Sequence, residues 1–315
     1  MDIKHLSYKQ KTNLGSFYTP PHLVRLVYEI LARRGNPTWL PLRANGLPLH
    51  AVLEPACGYG AFFAEKFPQK NEEIKTRDLG LSFMLAFAKL KPDYIAILHP
   101  LSYLIKRTNF ETLNPLMQNY ELLDAVVFSS QEFTETSKTN GFPIVAAVYA
   151  KSERGTSYEQ IIKRKFRTLE KQEFSISDFD YVCRYIPKYP SRYSKAGGFK
   201  FFTMRDINAL KRSRTFIEED TANTIHIPQE KLPYYCYVDI FKDIANKLPY
   251  YFGNLDVPFD KNNFEKLKDD FFALSVAKHP DIFAGKFSIP NSERLNFAKT
   301  KVQNYFNNLF KGMNI

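Results

Sequence analysis

Between residues 19 and 150 the apolar pattern switches repeatedly from helical spacing to short strand-like runs and back, and this alternation limits the fold before anything else does. Thr19-Pro20-Pro21 opens a helix, because prolines lose nothing in a first turn whose N–H groups have no partner. Leu23, Leu26, Val27, Ile30 and Leu31 then fall on one helical face, and Gly35-Asn36-Pro37 ends the segment. Ala51-Val52-Leu53 reads as a short buried strand, residues 61–67 as a helix, and residues 79–90 as an apolar core helix capped by Asp78. Tyr94 to Leu98 reads as a strand, 105–118 as a helix, and Leu123–Phe128 and Pro143–Tyr149 as strands. Strands separated by helical segments argue for an α/β fold, with a mainly parallel sheet covered by helices.

After Ala150 the character changes, which sets a domain boundary near residue 151 and a division into residues 1–150 and 151–315. The chain carries a net charge of +11, and residues 151–217, with 16 Lys/Arg against 7 Asp/Glu, account for nine of those charges. A local cationic field of this kind favours a polyanion, either nucleic acid or an anionic membrane surface. Aromatic residues are interleaved with the cations: Tyr181, Tyr185, Tyr189, Tyr193, Phe199, Phe201 and Phe202. The segment from Lys188 to Lys200 adds a flexible Gly197-Gly198, and Lys211-Arg212-Ser213-Arg214 follows. Lys188, Arg192, Lys195, Lys200, Lys211, Arg212 and Arg214 are the candidates for contact with phosphates, with a solvated basic surface as the alternative for each taken singly. Residues 262–277 and 291–311 look helical.

Other classes are disfavoured. No apolar run reaches the roughly 18 residues of a membrane span, so no membrane partner is expected. The N-terminus shows no secretory pattern. Three cysteines, Cys57, Cys183 and Cys236, make neither a disulfide framework nor a zinc cluster and suit a reducing cytoplasm. The six histidines lack ligand-like spacing, so no metal is expected.

Leu53-Glu54-Pro55-Ala56-Cys57-Gly58-Tyr59-Gly60-Ala61-Phe62-Phe63 lies between an expected strand and an expected helix. Glycines in such a turn let the backbone approach a ligand, and the helix start offers free N–H groups. Glu54 would repel a pyrophosphate but welcome a cationic amino group, which turns the reading from a dinucleotide towards S-adenosylmethionine. A tight packing turn with a solvent-facing glutamate is the alternative.

Gly15-Ser16-Phe17-Tyr18-Thr19-Pro20-Pro21-His22-Leu23-Val24, followed about thirty residues later by Val52 to Phe62, resembles the gamma class of DNA adenine-N6 methyltransferases of bacterial restriction–modification systems. The likeness runs on through Ile97 to Leu104 and Leu123 to Phe128 and ends near Tyr149. The resemblance implies a Rossmann-like class I methyltransferase sheet with a C-terminal α+β DNA-recognition domain. It implies S-adenosylmethionine as cofactor, held by Tyr18, Thr19, Pro20, Glu54, Pro55, Ala56, Cys57, Gly58, Gly60 and Phe62. It implies double-stranded DNA as partner, with a restriction enzyme or second methyltransferase subunit as a further one. Tyr149 stands where the family sets an aromatic against the extruded base; a core tyrosine is the equal alternative.

The family transfers methyl through an (Asn/Asp/Ser)-Pro-Pro-(Tyr/Phe) tetrapeptide, whose first side chain and a carbonyl engage the adenine amino group. No such tetrapeptide occurs; the one Pro-Pro pair is in Thr19-Pro20-Pro21-His22. Only residues 68–77 separate the helix after the glycine turn from the next core helix. The family places three strands there, and a single parallel crossover already takes a dozen or more residues. The catalytic residues therefore stay unassigned. Two readings are open: a DNA adenine-N6 methyltransferase, or a non-catalytic DNA-binding or specificity subunit on the same plan. The chain would then be degenerate, completed by another polypeptide, or short of a stretch between about Pro68 and Asp78.

Overall fold

The computed structural model describes residues 19–34, 76, 78–133, 141–190 and 198–311. The strand expected at 51–53, the helix at 61–67 and, apart from Thr76, the short interval at 68–77 lie outside the described residues. The chain divides into two compact units, Met1–Ile176 and Ser177–Ile315. This division falls beyond the expected boundary near 151, because two further short strands join the first unit's sheet.

The first helix, α1 (Pro21–Arg34), begins where the Pro-Pro pair calls for it, with the Pro20 carbonyl taking the N–H groups of Leu23 and Val24. Leu23, Ile30 and Leu31 are buried and pack with Val126, Phe128, Ala146 and Val148, while Leu26 and Val27 flank that cluster. The helical face read from spacing is therefore the face that covers the sheet. The second helix, α2 (Leu79–Leu90), starts at Asp78, whose carboxylate accepts hydrogen bonds from the N–H groups of Gly80 (2.9 Å) and Leu81 (3.3 Å).

Strands β1 (Tyr94–Pro100), β2 (Tyr120–Ser129), β3 (Pro143–Lys151), β4 (Phe166–Thr168) and β5 (Glu173–Phe174) make one sheet in the order β1-β3-β2-β4-β5. Three short helices, α3 (Ser102–Ile105), α4 (Arg107–Thr112) and α5 (Asn114–Met117), stand where one helix over 105–118 is expected. Another, α6 (Tyr158–Lys163), precedes β4 and starts with a capping box of Ser157 and Gln160.

The sheet is mixed rather than mainly parallel. β3 is antiparallel to both β1 and β2, β4 is parallel to β2, and β5 is antiparallel to β4. The physical reason lies between Phe128 and Pro143. That stretch is polar and has no helical pattern, and a parallel return needs a crossover element. The chain reverses instead, so β3 enters between β1 and β2, with Val145 opposite both His99 and Val127.

The second unit holds two small antiparallel pairs, β6 (Asp180–Tyr181) with β9 (Pro258–Phe259) and β7 (Phe199–Phe202) with β8 (Thr224–Ile227). Around them lie α7 (Ile207–Arg212), α8 (Leu232–Ala245), α9 (Lys261–Lys278), α10 (Pro280–Phe283) and α11 (Ser292–Leu309). α9 packs against both α8 and α11. The core is aromatic: the buried Tyr237 ring meets Phe259, Phe271 and Tyr305 edge-on at centroid distances of 5.1, 5.0 and 5.8 Å. Tyr181, Phe199 and Phe201, interleaved with cations in the sequence, are buried in this unit, whereas Tyr189 is exposed.

Asp78 also accepts a hydrogen bond from the Tyr103 hydroxyl of α3. Asp78→Ala should therefore remove a helix cap and a side-chain partner together, lowering stability by about 1–2 kcal/mol in urea unfolding. An unchanged midpoint would show that the cap carries no weight.

Candidate functional site

Of the expected cofactor residues, Thr19 and Pro20 are described; Thr19 is exposed just before α1. Tyr18, Glu54, Pro55, Ala56, Cys57, Gly58, Gly60 and Phe62 lie outside the described residues, as do Arg192 and Lys195 of the expected DNA contacts. Among the described residues no three His, Cys, Asp or Glu side chains gather as a metal site needs, and no helix is long and apolar enough to cross a membrane.

Tyr149 is fully buried in β3, so its ring has no free face for an incoming base. The strand expected to end at Tyr149 continues to Lys151, and the pleat turns Tyr149 inward to the face it shares with His99. The His99 Nδ1–H donates to the Pro100 carbonyl at 3.0 Å, which leaves Nε2 to accept from the Tyr149 hydroxyl at 2.9 Å. The Tyr103 ring stacks on His99 with centroids 5.7 Å apart. Burial pulls the His99 pKa down to about 4 against the opposing pull of the Pro100 carbonyl, so the ring is neutral at pH 7. It serves packing.

The cations of the second unit separate into two groups. Lys188 is ion-paired with Asp256, and Lys200 reaches Asp220 at 3.3 Å and the Glu218 carbonyl at 3.0 Å. Lys211, Arg212 and Arg214, at the end of α7 and just beyond it, have no carboxylate partner among the described residues. Lys211 is half-buried, and that burial alone lowers its pKa from the ordinary lysine value. The exposed Arg214 guanidinium lies 6.0 Å from the Phe202 ring centre.

Arg214 also lines a surface pocket of about 240 Å3 with Thr215, Phe216, Lys242, Asp243, Lys278 and His279. Lys242, Lys278 and His279 were not among the sequence candidates. They come from α8 and the end of α9, and no local pattern joins them to Arg214. Beneath them Asp239 of α8 is completely buried. It accepts hydrogen bonds from Thr215 Oγ1 (2.6 Å) and Ser275 Oγ (2.7 Å), and pairs with His279 Nε2 (3.0 Å) and Lys278 Nζ (3.4 Å). Burial alone would push its carboxyl up, yet the His279 hydrogen bond and the Lys278 charge outweigh it and hold the pKa below the ordinary carboxylate value. Lys242 Nζ donates to the Ser213 carbonyl at 2.6 Å. Arg214, itself exposed, is thus flanked by two anchored residues, Ser213 through its carbonyl and Thr215 through its hydroxyl. Such an arrangement can grip a phosphate by a forked pair of hydrogen bonds.

The fold and this site define a mixed α/β protein in whose second unit Lys211, Arg212 and Arg214 have no carboxylate partner among the described residues. No protein-family model, no curated protein and no solved structure matches the chain.

The His99 assignment has a pH consequence. An unfolded chain takes up this proton near 6.5 and the folded one near 4, so stability is lost as pH falls through that window, by up to about 3 kcal/mol. The His99 ring resonances in an NMR titration should stay unmoved down to about pH 5. A midpoint near 6.5 would place this ring in contact with water.

Proposed function

We propose that the chain is a DNA adenine-N6 methyltransferase of a restriction–modification system. Its first unit would take S-adenosylmethionine and its second would hold duplex DNA. The observation that carries the DNA half is the unpaired group Lys211, Arg212 and Arg214, backed by Lys242 over the buried Asp239. Cations without carboxylate partners are free to replace the counterions that a duplex carries, and each phosphate so neutralised strengthens binding at low salt.

The methyltransferase half rests on the Tyr18-Thr19-Pro20 element and the Glu54-to-Phe62 turn, which in the resembled family bind the cofactor. The mixed α/β sheet of the first unit is compatible with that reading. The cofactor would supply an electrophilic methyl group on a sulfonium. Glu54 would bind its amino group, and the protein's work would be to orient the adenine nitrogen in line with the methyl carbon.

A second reading, a non-catalytic DNA-binding or specificity subunit, is favoured by two observations. The tetrapeptide that holds the target amino group is absent from the sequence, and Tyr149 is enclosed in the core.

One measurement tests what the two readings share, and a second separates them. Duplex binding followed across salt concentrations should show a log–log slope that falls by up to about three when Lys211, Arg212 and Arg214 are all replaced by Ala, since each phosphate contact adds about 0.9. An identical slope would move the interface elsewhere. Incubation with tritium-labelled S-adenosylmethionine and mixed-sequence duplex should label the DNA. Cofactor and DNA binding without label would establish the non-catalytic subunit, and failure to bind DNA at low salt would contradict both readings.

A further inference from the structure

The outer face of α11 has a composition that packing does not require. Ala298, Val302, Tyr305 and Phe306 form its buried side. The other side carries Phe297, Thr300, Asn304, Asn307 and Asn308, all exposed and all within one stripe of the helix. Solvated helix faces are commonly built from Glu–Lys pairs three or four residues apart. Here the helix carries one carboxylate, the exposed Glu293 of its first turn, residues 294–311 hold four Lys/Arg and none, and the exposed polar groups are mainly amides.

Phe297 is 57% exposed, with the Lys301 ammonium 4.2 Å from its ring centre. Asn307 is bound to Gln303, but the side chains of Asn304 and Asn308 make no hydrogen bond to other described residues. These two line a cleft of about 260 Å3 between α9 and α11, with Asn263, Lys266, Lys301 and Tyr305.

We propose that this face of α11 reads base edges in the major groove of duplex DNA, with Asn304 and Asn308 directed at adenines and Phe297 at a thymine methyl. The inference rests on the DNA-binding reading above and assigns sequence selection to a different element from the phosphate grip. An α-helix fits the roughly 12 Å width of the major groove. An asparagine amide offers one donor and one acceptor side by side, the pair that adenine N7 and N6 demand, and both amides here have their groups free. An exposed ring suits the apolar thymine methyl. One carboxylate, the exposed Glu293 of the first turn, lies on this stripe of α11, and from Arg294 to Lys311 there is none to repel phosphates. Lys301 is drawn partly inward by the buried Asp270, 3.8 Å away, which also pairs with Arg294. The amides are therefore left to discriminate while the cations hold position.

The test uses the full chain and a pool of duplexes randomised over a central stretch. Bound duplexes are recovered, sequenced, and their affinity compared with that of scrambled duplexes. The wild-type chain should enrich a sequence containing A·T pairs. Asn304→Ala combined with Asn308→Ala should cut the affinity ratio of enriched to scrambled duplex about tenfold or more, leaving the salt slope unchanged. Phe297→Ala, tested singly, should relax preference at a thymine. These residues are exposed, so circular dichroism and the urea midpoint should stay at wild-type values. Enrichment of the same sequence at the same ratio by the double variant would overturn the proposal, as would a wild-type chain that binds the pool without enriching anything. A wild-type chain that does not bind the pool even at low salt would fail the DNA-binding reading itself.

Discussion

The Asp239 carboxylate fixes the surface on which the functional account stands. A buried charge is tolerated only where several partners meet it, and here they come from three places in the chain: Thr215 after α7, Ser275 within α9, and Lys278 with His279 at the end of α9. Their convergence ties the segment 213–216 to α8 and α9. Arg214 lies inside that segment, and Lys242, one turn along α8 from Asp239, holds the Ser213 carbonyl. Replacing Asp239 by an apolar residue would leave the Thr215 and Ser275 hydroxyls without their acceptor and free Lys278 and His279 to move. The cationic surface thus depends on an anion beneath it.

Charge arithmetic along the chain marks a basic region without distinguishing the residues within it. Lys188, Lys200, Lys211, Arg212 and Arg214 look alike in the sequence, yet the first two are matched by Asp256 and Asp220, which lie far along the chain. The aromatics interleaved with the cations look alike in the sequence as well, yet Tyr181, Phe199 and Phe201 are in the core while Tyr189 is exposed. A small unit must bury apolar surface, and large aromatic rings supply much of it here.

What could be read in advance was local. The face of α1 follows from a spacing of three and four residues, and the Asp78 cap from a short side chain placed before an apolar run. The starts and ends of β1, β2 and β3 came within a few residues of expectation for the same reason. Strand order is not local: β3 lies between β1 and β2 because residues 129–142 offer no crossover, and alternation of segment types says nothing about that choice. Tyr149 shows the same limit at one residue. Its place near a strand end was legible, but the pleat and the His99 hydrogen bond decide which way it points. The pocket around Arg214 joins three parts of the chain, and only Arg214 could be named beforehand.

The central claim is that the second unit holds DNA through the cations that the protein leaves unpaired. Lysine reactivity tests it directly. The full chain would be acetylated briefly with and without a mixed-sequence duplex at low salt, and the modified lysines quantified by mass spectrometry. Lys211 and Lys242 should lose most of their reactivity when DNA is present, while Lys188, already paired with Asp256, should change little. Undiminished acetylation of Lys211 and Lys242 on a chain that is demonstrably bound to DNA would contradict the account.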